Sequence, residues 1–151
     1  MKPKTELCWL RKPDDLTFPF TIRIHVFCDE QGYAQELELD QTDDVSWHLL
    51  LLANGFPAGT GRLYWRDSHQ GIMGIGRLAV EREWRQHGFG RILVKEMERK
   101  AAVLGAEMVL LDAQIRAIGF YEKLGYVVCG EEHMDGHVPH KLMKKSIKQN
   151  N

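Results

Sequence analysis

The hydrophobic period of the chain changes near residue 90, and this change limits the folds open to it. From residue 90 to residue 104 apolar side chains recur every three or four positions, which predicts an amphipathic helix that ends at Gly105. Residues 72–80 before it are typical of a strand, and residues 108–111 after it form an all-apolar run typical of a strand covered on both faces. The chain therefore combines strands and helices.

Turn residues and apolar patterning predict the other elements. The expected strands cover residues 7–10, 47–53, 56–66, 72–80, 108–111, 126–129 and 140–144, the last two joined by the turn-rich residues 134–139. The expected helices cover residues 90–104, residues 115–124, and one or two segments within residues 14–31, where Pro19 breaks or begins one of them. Asn54-Gly55 suits a tight hairpin turn, because both of its central residues need positive φ. We expect a single α/β (α+β) domain over residues 1–151, with a mixed, mostly antiparallel sheet flanked by helices.

Composition and charge exclude several classes of function. The 151 residues include 20 Lys and Arg against 21 Asp and Glu, so the formal net charge is −1. Nonspecific nucleic-acid binding needs a basic surface that neutralises phosphates, so no nucleic-acid partner is expected. No apolar run approaches the ~18 residues of a membrane span, and the first ten residues lack the apolar core of a signal peptide, which predicts no membrane partner and a cytoplasmic location. Three widely spaced cysteines, Cys8, Cys28 and Cys129, suit reduced thiols better than disulfides or a zinc site.

The segment between the strand and the amphipathic helix, residues 85–91, carries the most chemistry. It leads directly into a helix N-terminus, where unpaired N–H groups and about half a positive charge attract anions. Gly88 and Gly90 lack the side chains that would keep a phosphate from the backbone. The segment therefore predicts an anion site suited to a pyrophosphate; the alternative is that the two glycines only shape a turn.

Rival phosphate motifs are absent or misplaced. No Gly-Lys-Ser/Thr occurs, which excludes a triphosphate-binding P-loop. Residues 74–79 spell the dinucleotide-binding fingerprint, but they follow a turn and run into a strand, whereas that fingerprint must open a helix.

Several of these residues resemble a known family. Leu78-Ala79-Val80 followed by R-x-x-G-x-G at residues 85–90 resembles the acetyl-CoA-binding motif of the GNAT superfamily of N-acetyltransferases. Ala113-Gln114 and the pattern A-x-x-F-Y-x-x-L-G-Y at residues 117–126 resemble the next motif of that superfamily. Residues 26–32 and 136–143 resemble its small bacterial ElaA/YjcF-like branch.

The resemblance implies where acetyl-CoA, the expected cosubstrate, binds. The backbone of Leu78 and Val80 would pair with the pantetheine arm as if it were an added strand, and the amides of residues 86–91 would hold the pyrophosphate. Many relatives have asparagine where this chain has Gln114. The implied cofactor-binding residues are Leu78, Ala79, Val80, Arg85, Gln86, His87, Gly88, Phe89, Gly90, Arg91 and Gln114.

The resemblance also implies a general acid, because the family's tyrosine falls on Tyr121. A phenol of pKa ≈ 10 can protonate a departing thiolate of pKa ≈ 8.5 without strong opposition in water. The alternative is that Tyr121 only packs beside Phe120.

An amine acceptor also requires the loss of a proton. Neutralising an amine of pKa ~10.4 at pH 7 costs roughly 4–5 kcal/mol, so a base, a water relay or desolvation must assist. Glu30 and His140 stand in the branch-like motifs and are the proposed base or acceptor-groove residues. Other carboxylates that could serve are Glu81, Asp40, Asp43 and Asp44.

Two further clusters have competing interpretations. The acidic segment, residues 36–44, is either a solvated loop or a surface that attracts a cationic amine. His133, His137 and His140 with Asp135 resemble a metal site in composition, but the Asp135-Gly136 turn and Pro139 disrupt their alignment and the family needs no metal, so none is expected.

These observations predict an enzyme that transfers the acetyl group of acetyl-CoA to a primary amine of a small molecule, by direct attack within a ternary complex. No Cys or Ser lies in a recognisable nucleophile motif, so no acyl-enzyme is expected. A noncatalytic acetyl-CoA-binding regulator and a protein or peptide N-acetyltransferase remain alternatives. A homodimer could contribute residues to the acceptor groove.

Overall fold

Eight strands form one mixed sheet in the computed structural model, which describes residues 2–148. They are β1 (Thr5–Leu10), β2 (Trp47–Ala53), β3 (Phe56–Asp67), β4 (Ile72–Val80), β5 (Met108–Gln114), β6 (Val127–Val128), β7 (His133–Asp135) and β8 (Val138–Ser146). The strand order is β1-β2-β3-β4-β5-β8-β6, and β7 pairs with β8. Strands β4 and β5 are parallel, whereas β1–β2, β2–β3, β5–β8, β6–β8 and β7–β8 are antiparallel. The predicted α+β class with a mostly antiparallel sheet is confirmed.

The helices at residues 17–30, 89–103 and 118–123 lie close to their predicted places, whereas the sequence pattern does not predict the helix at residues 35–38 or the 3₁₀ turn that follows it. They are α1 (Thr17–Arg23), a π-helical segment (Ile24–Glu30), α2 (Gln35–Glu38), α3 (Phe89–Val103) and α4 (Ile118–Lys123), with short 3₁₀ turns at Gln41–Val45, Arg82–Trp84 and Ile115–Ala117. Pro19 lies in the first turn of α1, where its missing N–H has no helical acceptor to lose, so it begins the helix instead of breaking it. No helix in the described residues is long and apolar enough to cross a membrane.

The chain divides into two compact units. The first contains the residues up to Tyr64 together with Arg77–Met97. Its β2–β3 hairpin turns at Asn54 (φ 50°) and Gly55 (φ 84°), as the sequence predicts. Part of its core joins the first helical segments to the strands through the buried side chains Ile22, Val26, Leu50 and Ala79.

The second unit contains Trp65–Gly76 and the chain from Glu98 onward. Here β5 pairs with β8 over its full length, from Met108↔Ser146 to Gln114↔His140. The predicted turn-rich connection at residues 134–139 is instead a hairpin, in which β7 pairs with β8 from His133↔His140 to Asp135↔Val138 around Gly136 (φ 61°). Because a three-residue strand carries almost no periodicity, the sequence pattern gives no sign of β7.

Candidate active site

The junction between β4 and α3 has an unusual backbone. Gln86 and Gly88 have φ values of 69° and 77°, a region that non-glycine residues such as Gln86 rarely adopt. Left-handed residues immediately before a helix allow successive N–H groups to face one concavity. The Ile92 N–H bonds to the Gly88 carbonyl at 3.2 Å, so the N–H groups before Ile92 precede the helical ladder. An added Cβ at Gly88 would meet nothing within 4 Å, so glycine is favoured there by the positive φ and not by close packing.

Aromatic packing holds this helix start in place. Phe89, the first residue of α3, is buried, and its ring stacks on His87 at a centroid distance of 5.5 Å. Trp84 lies 6.2 Å from the same ring. Residues 86–91, which the resemblance implies in pyrophosphate binding, are therefore held in place by packing.

Strand β4 continues beyond its parallel ladder. Among the described residues, the β4–β5 register runs from Ile72↔Met108 only as far as Ile75↔Leu111. Arg77 then has a φ of 52°, which marks an irregularity in the strand. The implied pantetheine-binding residues 78–80 follow this irregularity.

Arg85 and Glu30, two predicted site residues, bind each other. The Arg85 Nη2 donates to Glu30 Oε1 at 2.8 Å, and its Nε donates to the Val80 carbonyl at 3.0 Å. Partial burial opposes ionisation of Glu30, but the hydrogen bond and charge of Arg85 prevail and hold its pKa below the usual range. A carboxylate stabilised in this way is a weaker proton acceptor than a free one. The role of Glu30 as a base stays a prediction.

A second link joins the π-helical segment to the residue after β4. The Nδ1 of His25 lies 2.7 Å from Glu81 Oε2, and this hydrogen bond raises the pKa of His25. Glu81, another of the carboxylates considered as a base, therefore already has a cationic partner when His25 is protonated.

Three of the four described carboxylates of the acidic segment are bound to arginines. Glu38 and Asp43 are each only 4% exposed, and both bind Arg23, which is 1% exposed. Asp40 accepts hydrogen bonds from Arg62 and Arg77 at 2.7 and 3.2 Å. Both interpretations made from the sequence are thus wrong for Glu38 and Asp43, because buried acids require cations and arginines supply them. Asp40 is exposed but paired with arginines, and the exposed Asp44 pairs with Lys12. The side chain of Glu36 lies outside the described part of the chain.

In the second unit, Tyr121 is held in an aromatic cluster. Its ring makes edge contacts with Phe120 at 5.0 Å and with Tyr126 at 5.9 Å. Burial raises the pKa of Tyr121 to about 12, so the phenol stays protonated at neutral pH. Tyr126 donates in turn to Glu98 Oε2 at 2.8 Å, and Lys145 donates to the other oxygen of Glu98 at 2.9 Å.

One ring nitrogen of His140 is committed to a backbone carbonyl, and the other lies near a carboxylate. Its Nδ1 lies 2.8 Å from the Val138 carbonyl, which only accepts, so Nδ1 carries the proton. The Nε2 then bears the lone pair and lies 3.9 Å from Asp135 Oδ2. Gln114 is the cross-strand neighbour of His140 and accepts a hydrogen bond from Arg116 at 2.9 Å.

Among the side chains that the structure describes, no group of three or more His, Cys, Asp or Glu residues is arranged to hold a metal ion. His133 and His140 stack, with centroids 6.2 Å apart, and His133 bonds to Asp112 at 2.8 Å. Sequence reasoning missed Asp112, because the residue that pairs with it lies 21 positions away.

Comparisons with known proteins agree with the geometry. The model of the acetyltransferase (GNAT) family matches residues 9–126. The chain is 35% identical over 136 residues to the uncharacterized N-acetyltransferase YjcF of Bacillus subtilis, covering 89% of this chain and 95% of that protein. It shares the fold of Escherichia coli ElaA, with a TM-score of 0.84, 22% identity and coverage of 95% and 100% of the two chains. It also shares the fold of an aminoglycoside 6′-N-acetyltransferase solved in complex with coenzyme A, with a TM-score of 0.76, 15% identity and coverage of 97% and 99%.

Proposed function

The chain belongs to the acetyltransferase (GNAT) family, and from that premise we propose that it transfers the acetyl group of acetyl-CoA to a primary amine of a small molecule. The backbone at residues 86–91 carries this proposal. Left-handed residues before an anchored helix start offer N–H groups that fit a pyrophosphate. The coenzyme A bound to the aminoglycoside acetyltransferase supports the same donor here.

The binding of the donor rests more on backbone than on side-chain charge. Arg85 is already paired with Glu30, so the amides of residues 86–91 supply most of the attraction at that point. The strand residues Leu78 and Val80 would pair with the pantetheine arm, as an added strand pairs with a sheet edge.

The reaction begins with the attack of a neutral amine on the thioester carbonyl, which forms a C–N bond and breaks the C–S bond. We assign His140 Nε2 as the group that accepts the amine proton, because its Nδ1 proton is committed to the Val138 carbonyl. Glu30 is the weaker candidate, since Arg85 stabilises its ionised form.

Tyr121 then stabilises the departing thiolate. Full proton transfer from a phenol of pKa about 12 to a thiolate of ordinary pKa ≈ 8.5 is uphill by about 5 kcal/mol. Tyr121 therefore acts first as a hydrogen-bond donor to the negative charge that develops on sulfur, and it releases its proton late in the step.

Free-thiol release from acetyl-CoA, measured with a panel of polyamines, amino sugars, amino acids and peptides, tests the activity. Tyr121→Phe should lower kcat by 10²-fold or more, the usual scale for general acid–base catalysis, and should leave the Kd of coenzyme A unchanged. Tyr64→Phe makes the same chemical change in β3 and should leave kcat unchanged. Equal kcat values for the wild type and Tyr121→Phe would remove Tyr121 from the mechanism.

The pH profile of kcat/KM identifies the base. His140→Gln should abolish its acidic limb, whereas His69→Gln, in the turn before β4, should not. Profiles unchanged in both His140→Gln and Glu30→Gln would exclude both residues. Tight binding of coenzyme A without acetylation of any acceptor would support the noncatalytic regulator instead.

A further inference from the structure

The second unit contains a cavity of about 340 Å³ that is open to solvent. Six residues from strands β3, β5, β7 and β8 and from the β6–β7 connection line it: Arg66, Asp112, Gly130, Glu131, His133 and Leu142. This volume lies at the small end of the range for ligand pockets, ~300–1,000 Å³. An occupant of this cavity is therefore a small molecule.

Two of the charged lining residues, His133 and Asp112, form a hydrogen bond with each other. The Nε2 of His133 lies 2.8 Å from Asp112 Oδ2, and its Nδ1 lies 3.3 Å from the Glu131 backbone carbonyl. The hydrogen bond to Asp112 raises the pKa of His133. This pair forms one wall of the cavity and carries little net charge when His133 is protonated.

The other two charged residues are unpaired. Arg66 and the carboxylate of Glu131 are exposed, and neither forms an ion pair with any residue between positions 2 and 148. A cation and an anion that line the same small cavity without pairing are both available to a molecule that carries both charges. Arg66 presents the planar fork that binds a carboxylate with two parallel hydrogen bonds, and Glu131 presents an acceptor for an ammonium group.

We propose that this cavity binds the α-carboxylate and α-ammonium groups of an amino acid, with Arg66 on the carboxylate and Glu131 on the ammonium group. This inference rests on the proposed acetyl transfer for its second step. An ammonium group held by Glu131 keeps its proton and cannot attack a thioester, so the nucleophile is a second amine on the same molecule. The acceptor class is then a diamino acid, whose side-chain amine loses a proton and gains the acetyl group while the thiolate departs.

Three matched amines distinguish the contribution of Arg66, which would bind the carboxylate, from that of Glu131, which would bind the ammonium group. Lysine carries both groups, cadaverine lacks the carboxylate, and 6-aminohexanoate lacks the α-ammonium group. The wild type should acetylate lysine with a kcat/KM at least 10-fold above that of either analogue. Arg66→Gln should raise the KM of lysine roughly 3- to 10-fold, the scale of a two-point but solvent-accessible ion pair, and leave that of cadaverine unchanged. Glu131→Gln should abolish the preference for lysine over 6-aminohexanoate, while Glu132→Gln, one residue outside the cavity lining, should preserve it.

Binding without chemistry distinguishes the failure of this proposal from the failure of the proposed function. The ring resonances of His133 should shift on addition of lysine, and at the same concentration they should shift less on addition of cadaverine and less in Arg66→Gln with lysine. If amines are acetylated but cadaverine equals lysine, acetyl transfer stands and the amino-acid site is wrong. If no amine is acetylated and His133 still responds to lysine, the amino-acid site stands and the proposed function is wrong. No shift of His133 with lysine overturns the site.

Discussion

Replacing Arg23 is the most direct test of the buried ionic cluster that it forms with Glu38 and Asp43 in the first unit. It is 1% exposed and makes four hydrogen bonds to Glu38 and Asp43, at 2.7, 2.7, 2.9 and 3.2 Å. Methionine at this position keeps the apolar stem but removes one of the two arginines that each carboxylate binds, so that Asp43 keeps only Arg62 and Glu38 keeps only Arg77. Removing one partner of a buried ion pair typically costs about 3–5 kcal/mol, and because each carboxylate keeps a second arginine we expect Arg23→Met to lower the free energy of unfolding by about 3 kcal/mol, the lower end of that range.

Urea unfolding followed by circular dichroism at pH 7 measures this loss. The control is Arg82→Met, which removes a side chain that is 74% exposed and lies 3.5 Å from Glu30. An exposed pair of this kind contributes little, so the control should change the free energy of unfolding by about 0.5 kcal/mol or less. A loss below about 1 kcal/mol for Arg23→Met would refute the view that the cluster needs its cation.

The acid dependence gives a second readout of the same cluster. Burial opposes ionisation of Asp43, but the hydrogen bond and charge of Arg23 outweigh it and lower its pKa. The unfolded chain therefore binds a proton at higher pH than the folded chain, so this stabilisation is present above the unfolded pKa of ~3.9 and is lost as pH falls through the lowered value. Arg23→Met should weaken that acid-linked loss. An unchanged slope of the unfolding free energy below pH 4 would contradict the assignment.

Three further variants test packing, hydrogen bonding and protonation. Gly61→Ala would place its Cβ 2.7 Å from Met97 Cε in the core, and the overpacking should cost about 1–3 kcal/mol in urea unfolding; a neutral effect would mean that Met97 moves freely. Tyr126→Phe removes the donor 2.8 Å from Glu98, which should cost about 1–3 kcal/mol in the same assay, and an equally stable variant would show that the bond contributes nothing. Burial lowers the pKa of His48, so between that value and about pH 6.5 the unfolded chain binds a proton that the folded chain does not bind. The free energy of unfolding should therefore fall as pH drops below about 6.5. His48→Asn should reduce that fall between pH 7 and pH 5, and identical slopes in the two proteins would disprove it.

Local signals predicted the regular elements well. Turn residues on both sides bound the strands at residues 47–53 and 72–80, and both predictions are confirmed at their ends. Helix α3 starts one residue before its predicted position and ends at Val103, close to Gly105, whose φ of 99° suits a helix stop. These elements follow from residues near them in sequence, which is why their bounds can be inferred from pattern alone.

The ionic partners could not be inferred in this way. A run of carboxylates has the same sequence pattern whether water or arginine surrounds it, and Arg23 lies 15 positions from Glu38 in the chain. The pairing of Arg85 with Glu30 spans 55 positions. Each of these contacts depends on the tertiary fold, so the sequence showed which charges were present but not which of them were already neutralised.

This distinction decides which charges can select a substrate. Glu38, Asp40 and Asp43 of the acidic segment are bound to arginines, and a paired charge produces a weaker field at a distance than a free one. Selectivity must then come from charges that the fold leaves without a partner. In the second unit Arg66 and Glu131 are such charges, one of each sign, and they line the same small cavity. A simple diamine would meet only Glu131, whereas an amino acid would meet both, which is why the comparison of lysine with cadaverine discriminates between them.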